Sequence, residues 1–565
     1  MKILNNSLSK HGLVLVCFII FAQLFYYPSL TGMKLLQSDI VQYSGMSRQI
    51  KEYRSQNDGK ETYWIDNAFG GMPTYQLGAK YPADFLGLIH DLFKLIPRPA
   101  YLLFLYLFSS YILFLVLKVD WRVAVFGSFA FGLSTYLLII IQVGHNTKAM
   151  ALSYMPLALA GFFLLIDKRW LYGFILSVLG LGLNIRANHY QMSYYLLFIL
   201  VILGLVYLHQ AYQNKNLKTI SKSLGLFSLS GILAIGLNAT PLLSTSEYSK
   251  FSTRSGSELK LNLGTSQKST SDGLDYNYIT EYSYGIFESL SLIIPRVQGG
   301  GSRENLGTES ELYEFLVKKG VSIKQAKNFV SSVPTYWGSQ PILEAPAYIG
   351  IVVFFFAVFA MIILKGPIRN ALMIASILSL ILSWGKNFPI VTDFFIYNVP
   401  FYNKFRSVSS AQVILELCVP VLAALGLQKL LSNPQKYFKP FLKTTIGILG
   451  FLISLILLKI IGLFSFKSAI DIRLREAYGE EILEQIIFAR REVFNDDILR
   501  GVFLVIITFL VFMLYKSQKI KKNIAIVLLF GLLIYDLGGV AVRYLDWSRF
   551  VDPSQIETPF RITNA

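Results

Sequence analysis

Apolar runs of about 20 residues alternate with short polar breaks along almost the whole chain. A run of this length crosses a bilayer as one helix, whereas the strands of a membrane β-barrel need only about 10 residues each. The pattern therefore predicts an all-α polytopic membrane protein with about 13 transmembrane helices. The predicted spans are 12–30, 99–117, 121–141, 149–166, 170–185, 191–208, 223–241, 346–364, 370–384, 407–428, 444–463, 499–515 and 523–540.

Composition agrees with this fold class. The chain has 565 residues, of which 54% are hydrophobic and 15% charged, and its mean hydropathy is +0.50. These values are typical of integral membrane proteins rather than of soluble chains with a large core. Bulky Phe25, Tyr26 and Tyr27 end the first run, where signal-peptide cleavage requires small residues, so we interpret this run as a retained helix.

The net charge of +18 does not predict a nucleic-acid partner. The basic residues collect in short loops, where they set topology, and every loop that is cytoplasmic with the N-terminus inside is basic. We therefore predict N-terminus inside and C-terminus outside. The outer segments are then 31–98, 142–148, 186–190, 242–345, 385–406, 464–498 and a tail from 541.

We predict one membrane domain, residues 1–540, which includes the two large outer loops 31–98 and 242–345. The stretch 85–96 is amphipathic and suits a helix in the membrane interface, and 309–332 has a short helical pattern. Residues 541–565 form an outer tail, whose last part, 552–565, is expected to have no packed element of its own. Either a further extracytoplasmic domain that begins here or an ordinary frayed tail would explain this.

Several ionisable residues fall at the predicted outer ends of helices. A single carboxylate, Asp39, faces a set of basic residues, and this composition suits an anionic ligand whose phosphate oxygens the cations would bind. The predicted phosphate ligands are His145, Lys148, Arg186, His189, Lys404 and Arg406. Each residue also has an ordinary structural interpretation, such as a helix cap for Asp39 or a snorkelling side chain for Lys148.

The second outer loop and the apolar runs contribute further candidates. Tyr336 and Trp337 are predicted to stack on a sugar ring, with Glu281 as a possible acceptor contact, although aromatic residues are also common at membrane interfaces. Glu416 and Asp536 lie within apolar runs, so each is expected to face the interior of the bundle, where a transporter would use it. The sequence has no phosphate-binding P-loop, zincin helix or nucleophile elbow.

Six segments resemble the YfhO family of bacterial multispanning membrane proteins. They are S-D-I-V-Q-Y, W-I-D-N-A-F-G-G-M-P-T-Y, G-H-N-T-K-A, N-H-Y-Q-M-S-Y-Y, Y-W-G-S-Q-P and Y-N-K-F-R-S-V-S, in this order between residues 37 and 410. That family is similar to the GT-C glycosyltransferases, which take a sugar from a polyprenyl-phosphate carrier on the outer face. The resemblance implies a GT-C-like core in the bacterial cytoplasmic membrane.

The same resemblance assigns roles to residues. It implies that Asp39 is the catalytic aspartate and that His145 and Lys148 lie near the lipid-linked phosphate, joined by Lys404 and Arg406. The acidic pair of some GT-C first loops is absent, which leaves open whether a divalent cation takes part. The family also implies an extracytoplasmic region beyond the last span.

These inferences lead to one main function hypothesis and two alternatives. The main hypothesis is an inverting glycosyltransferase that transfers sugar from a polyprenyl-phosphate donor to an envelope glycan, polymer or protein. The first alternative is a transporter or flippase for a lipid-linked anionic substrate, with Glu416 or Asp536 coupling the movement to ions. The second is a structural scaffold for envelope assembly.

Overall fold

The computed structural model describes residues 7–255 and 273–557. Its α-helices are, in chain order, α1 Ser7–Phe25, α2 Ser38–Met46, α3 Arg48–Gln56, α4 Phe85–Phe93, α5 Ala100–Val116, α6 Trp121–Gly132, α7 Thr135–Val143, α8 Asn146–Ile166, α9 Trp170–Arg186, α10 Tyr190–Gln213, α11 Leu217–Leu237, α12 Ala239–Ser249, α13 Tyr276–Thr280, α14 Glu311–Lys318, α15 Ile323–Val330, α16 Ile351–Ile363, α17 Pro367–Ser383, α18 Pro389–Asn398, α19 Val413–Ser432, α20 Phe438–Ile460, α21 Asp471–Tyr478, α22 Glu480–Lys516, α23 Lys522–Leu533, α24 Gly539–Tyr544 and α25 Ser554–Glu557.

The strands are short and lie outside the helical bundle. Strand β1 Lys34–Leu35 pairs antiparallel with β4 Phe550–Val551, and β2 Trp64–Ile65 pairs antiparallel with β3 Met72–Pro73. The molecule is therefore nearly all-α, as the sequence predicted.

Within the described ranges, seven helices are long and apolar enough to cross a membrane, or eight if the bent pair α6–α7 is one span. Five shorter apolar helices, α1, α5, α9, α16 and α17, accompany them. A polytopic membrane protein is thus confirmed. A helix lies at each of the predicted spans, but the count of thirteen membrane crossings remains a prediction.

The span predicted at 121–141 is broken rather than continuous. Helices α6 and α7 meet at an angle of 49° around Leu133 and Ser134. At the break, the Thr135 backbone N–H donates to the carbonyl of Tyr348 at 3.0 Å, and the Ser134 side-chain hydroxyl donates to the Glu416 carboxylate. Broken helices are tolerated at membrane depth when neighbouring protein groups supply such partners.

Helices α8 and α19 form the centre of the bundle. In the most apolar stretch of each helix, 89% of the residues are buried. Small residues allow their neighbours to approach closely. A Cβ on Gly161 of α8 would lie 2.5 Å from the Ser177 nitrogen of α9, and one on Gly426 of α19 would lie 2.7 Å from the Phe356 carbonyl oxygen of α16. Small residues at helix contacts are the usual means of tight packing in membrane proteins.

The described parts of the two large loops are folded. The first contains α2, α3, the β2–β3 hairpin and α4, the last within the predicted amphipathic stretch 85–96. The predicted helical pattern at 309–332 is two helices, α14 and α15. Both pack with α21 against the beginning of α22, a 37-residue helix that extends well before the predicted span 499–515 because its first turns bury Leu483 and Ile486 in this cluster.

The described part of the C-terminal tail, residues 541–557, is packed, and α25 with its buried Ile556 corrects the expectation that residues 552–565 have no packed element. Strand β4 pairs with β1, and the Trp547 indole N–H donates to the Phe25 carbonyl at 3.1 Å. Apolar burial supports these contacts, since Phe550 is 5% exposed. The expectation failed because the partners of this tail are at the opposite end of the chain. Residues 558–565 of the predicted tail lie outside the described part of the chain.

Candidate functional site

Asp39 lies in the first turn of α2, where the helix dipole favours a negative charge. The segment before it is fastened to the turn between α7 and α8. The buried amides of Gln37 and Asn146 bond to each other in both directions, at 3.4 and 3.2 Å, and Gln37 also donates to the Ile141 carbonyl. This pairing fixes the beginning of α2 against the α7–α8 turn.

Gly144 permits this close approach. It ends α7 in the left-handed conformation, with φ +101°, and a Cβ at this position would lie 3.0 Å from the Cβ of Gln37 and 3.1 Å from that of Asp39. Any other residue would be strained here and would push α2 away. The glycine of the G-H-N-T-K segment therefore has a defined structural role.

The Asp39 carboxylate Oδ2 lies 3.1 Å from His145 Nε2, and both side chains are about half exposed at 50% and 48%. Burial and the nearby Lys148 charge lower the pKa of His145, while Asp39 opposes this shift. The imidazole is consequently neutral at pH 7, and its Nε2 faces the aspartate. One carboxylate oxygen of Asp39 therefore lies in close contact with the imidazole.

Lys148 lies one helical turn after His145 on α8 and is 8% exposed. Its ammonium donates to the Ser410 hydroxyl at 3.0 Å and lies 5.0 Å from the centre of the Tyr136 ring. Ser410 belongs to the Y-N-K-F-R-S-V-S-S stretch. The two predicted cationic segments thus meet at this contact.

The segment 404–410 also receives groups from other helices. Gln191 of α10 donates to the Arg406 carbonyl at 2.7 Å. The Arg406 guanidinium lies 4.8 Å from the Tyr278 ring centre and donates to its hydroxyl. Lys404 Nζ donates to the Arg254 carbonyl at 3.0 Å, and Arg254 donates back to the Lys404 carbonyl.

Arg254 is a cation of this site that the sequence did not reveal. It lies beside the Ser/Thr-rich part of the second loop, and only the folded chain brings it to Lys404. Burial lowers the pKa of Arg254, and the neighbouring Arg406 charge lowers it further. Like charges held this close favour the binding of an anion.

His189 belongs to the same region. Burial lowers its pKa to about 3, with additional effects from the charges of Lys148, His145 and Arg254. It is therefore neutral at pH 7. Direct contacts or electrostatic effects, in part through Arg254, link the following residues in one region: Asp39, His145, Lys148, His189, Lys404 and Arg406.

Arg186 differs from the other predicted phosphate ligands because it already has a carboxylate partner. Its guanidinium forms a fork with Asp84, with Nε–Oδ1 at 2.7 Å and Nη2–Oδ2 at 2.5 Å. Burial alone would raise the pKa of Asp84, but the Arg186 hydrogen bond and charge lower it overall. Asp39 is thus not the single carboxylate facing the predicted cations. Asp84 directly precedes the amphipathic stretch 85–96, and its position in the sequence does not indicate that it pairs with Arg186.

The predicted sugar contacts lie elsewhere. Tyr336 is 7% exposed and its hydroxyl donates to the buried Glu288 carboxylate at 2.6 Å. The Trp337 ring packs beside Phe287 and Phe466. Tyr336 is thus buried away from any stacking ligand, whereas Trp337 is partly exposed. Glu281 is exposed, in the segment that follows Tyr278.

A divalent cation does not fit the site well. Among residues 7–255 and 273–557, no three His, Cys, Asp or Glu side chains come together as a possible metal site. Asp39 and His145 would supply two ligands, fewer than protein metal sites ordinarily use.

The fold and this site define a class, a multi-pass α-helical membrane protein with a cationic region around one aspartate–histidine pair. No protein-family model, curated protein or solved structure matches the chain.

Proposed function

We propose that this protein is a GT-C-like glycosyltransferase of the bacterial cytoplasmic membrane, related to the YfhO family. It would transfer a sugar from a polyprenyl-phosphate donor to an envelope glycan, polymer or protein on the outer face, with the N-terminus inside and the C-terminus outside. The observation that carries the proposal is the Asp39–His145 contact beside Lys148 and Arg406. A base and an anion-binding group are the two functions that such a transfer requires.

In the proposed reaction, an acceptor hydroxyl attacks the anomeric carbon of the donor sugar from the face opposite the phosphate. The bond between this carbon and the phosphate oxygen breaks, and the electron pair leaves with the polyprenyl phosphate. The hydroxyl proton passes to the carboxylate of Asp39, whose Oδ2 lies 3.1 Å from His145 Nε2. The displacement inverts the anomeric configuration.

The cations would stabilise the departing phosphate. Lys148 and Arg406 lie near His145 and therefore near the reacting centre, since both charges lower its pKa. Arg254 and Lys404 extend the positive region. Charge-assisted hydrogen bonds from these groups are stronger to the leaving dianion than to the bound donor, which favours the transition state.

The flippase alternative requires a mobile intramembrane acid. Asp536 accepts hydrogen bonds from Arg500 at 2.7 Å, from the Tyr348 hydroxyl at 2.5 Å and from the Val352 N–H at 3.0 Å. Glu416 accepts a hydrogen bond from Ser134 at the break between α6 and α7. The bonds of Asp536 support a structural role for it and favour the enzyme over a transporter that uses this acid, whereas the second carboxylate oxygen of Glu416 has no hydrogen-bond partner among the described residues.

The test uses Asp39→Asn, which keeps the shape of the side chain but removes the base. Host cells that lack the protein are complemented with wild type, Asp39→Asn or the matched control Asp58→Asn. Asp58 is an exposed residue in the same loop with φ +52°, a conformation that asparagine accepts. Envelope glycans are analysed by mass spectrometry. We expect one sugar unit to disappear, with transfer reduced at least about 10²-fold in Asp39→Asn only.

Normal glycans in Asp39→Asn cells would contradict the assignment of Asp39 as base. If deletion of the whole protein leaves every envelope glycan unchanged, the glycosyltransferase proposal fails. A flippase would instead retain transport of the lipid-linked substrate in the Asp39→Asn variant.

A further inference from the structure

The hairpin of the first loop presents two large aromatic side chains to solvent. Strands β2 and β3 are joined by the turn 66–71, and Trp64 is 53% exposed while Phe69, within the turn, is 86% exposed. Single exposed apolar residues are ordinary, but exposed aromatic residues grouped on one loop mark a binding surface. The motif W-I-D-N-A-F-G-G-M-P has no part in the reaction proposed above.

The turn is held rigidly in place. Gln49 Oε1 accepts hydrogen bonds from the backbone N–H groups of Asp66 at 2.8 Å and Asn67 at 3.2 Å. The Asn67 amide donates to the carbonyls of Gly45 at 3.2 Å and Met46 at 3.3 Å. The exposed side chains therefore stand on an ordered support, which lowers the entropic cost of binding a ligand.

The Trp64 indole is also fixed. Its N–H donates to Asp66 Oδ1 at 2.9 Å, and the ring lies so close to Gly71 that a Cβ there would come within 2.7 Å of it. Gly71 has φ +114°, which only glycine adopts readily. The glycine thus makes room for the indole, and the remaining ring surface stays open to solvent.

We infer that Trp64, Asp66, Asn67 and Phe69, which we call the Trp64 surface, bind a sugar ring of the acceptor glycan. This inference rests on the proposed function for the identity of the ligand. Pyranose rings offer a face of C–H groups that packs on an aromatic ring, and hydroxyls at the ring edge that bond to carboxylate and amide groups. Trp64 and Phe69 supply the first kind of contact, and exposed Asp66 and Asn67 supply the second.

A lipid surface fits this hairpin less well than a glycan. The exposed Asp66 carboxylate beside Trp64 would be repelled by anionic headgroups, and its dehydration would be costly. Helix α4 is the better lipid-facing element, because Leu88 and Leu92 are 70% and 66% exposed on one side of it.

The position of the Trp64 surface suits an acceptor subsite. Asn67 bonds to the last turn of α2, and Asp39 is in the first turn of the same helix. The rise of an α-helix separates these two turns by about 10 Å. A glycan that is bound at the hairpin would therefore be held beside the reacting centre rather than in it.

The test measures binding without catalysis. Full-length protein in detergent is applied to an array of bacterial envelope oligosaccharides that lack any polyprenyl group, so that donor recognition cannot contribute. Variants are Trp64→Ala, Trp64→Phe and Phe69→Ala, with Tyr53→Ala as the control because Tyr53 is an exposed aromatic residue of α3 in the same loop. The unfolding midpoint of each variant is compared with that of wild type.

We expect wild type, Asp39→Asn and Tyr53→Ala to bind the same oligosaccharide, and Trp64→Ala to bind it at least about tenfold more weakly, a loss of 1.4 kcal/mol. Trp64→Phe should restore part of the affinity because it keeps an aromatic ring. The inference is overturned if no oligosaccharide binds wild type, or if folded Trp64→Ala binds as wild type does.

A second measurement tests whether the hairpin is exposed to water or inserted in the membrane. A nitroxide is attached to Phe69→Cys in a background in which Cys17 is replaced by serine, since Cys17 is exposed and Cys418 is buried. A label that collides with a water-soluble nickel complex supports the glycan surface, whereas one reached mainly by oxygen in lipid overturns it. Glycan binding with no sugar transfer would refute the proposed function alone, and transfer without binding would refute the Trp64 surface alone.

Discussion

Lys34 and Glu557 form an ion pair with an N–O distance of 2.6 Å, although 523 residues separate them in the chain. The contact flanks the β1–β4 pairing, in which Leu35 lies opposite Phe550. Lys34 and Leu35 lie five and four residues before Asp39. The C-terminal tail thus supports the segment that leads into α2. Any loosening of this tail is expected to disturb the position of Asp39.

We predict that Phe550→Ala weakens this support, whereas Glu557→Gln does not. Phe550 is 5% exposed, and truncation of a buried phenylalanine costs about 3 kcal/mol or more. Lys34 and Glu557 are exposed, so their ion pair contributes less than about 1 kcal/mol. Hydrogen–deuterium exchange of residues 34–46 measures the effect. Equal protection in Phe550→Ala and wild type would contradict it.

His145 is predicted to position Asp39 rather than to bind the donor phosphate. His145→Ala removes the contact with Asp39 Oδ2 and should lower kcat by about 10²-fold, as a small misplacement of a catalytic group does. His145→Gln can donate an amide N–H to the same oxygen and should restore most of the rate. The donor KM should stay near that of wild type in both variants. Equally inactive Ala and Gln variants would instead indicate that the imidazole itself carries a proton.

We predict that the folded protein loses stability in acid because His189 is held neutral in it. Its pKa is lowered to about 3 by burial and by the nearby Lys148, His145 and Arg254, so the unfolded chain, with an ordinary histidine, binds more protons between pH 6.5 and 3. The folded state should therefore lose up to about 1.4 kcal/mol per pH unit as the pH falls below about 6.

The measurement for His189 is the thermal unfolding midpoint from pH 7.5 to 4. Carboxylates also titrate in this range, so each variant is compared with wild type. The midpoint of His189→Gln should change less with pH than that of wild type. The midpoint of the exposed control His209→Gln should follow the wild-type profile. Identical profiles for all three proteins would show that His189 does not titrate as expected.

Arg186 and Asp84 are predicted to form a structural pair. Each single change, Arg186→Gln or Asp84→Asn, leaves a partly buried group without its partner, so the double variant should lose less stability than the sum of the two, by about 1 kcal/mol. Arg186→Gln should leave the donor KM unchanged, whereas Lys148→Gln should raise it. A raised donor KM in folded Arg186→Gln would instead indicate that Arg186 binds the donor phosphate.

The helical membrane fold could be predicted from the sequence because its signal is local. A run such as 149–166 is apolar whatever surrounds it, and the structure has helix α8 at Asn146–Ile166. The exceptions also have physical causes. The break at Ser134 depends on Tyr348 and Glu416, which are distant in sequence, and the extension of α22 depends on packing against α14 and α15.

The sequence by itself determined which segments are apolar, which loops are basic and which polar residues fall at helix ends. Only the tertiary structure decided which of these residues meet. In the folded chain, Asp39 contacts His145, and Arg186 forms an ion pair with Asp84. The buried Tyr336 hydroxyl donates to Glu288, and strand β4 of the C-terminal tail pairs with β1. The physical reason is that hydrophobicity is a property of each segment, whereas an ion pair or a strand pairing depends on two partners whose separation along the chain carries no local signal.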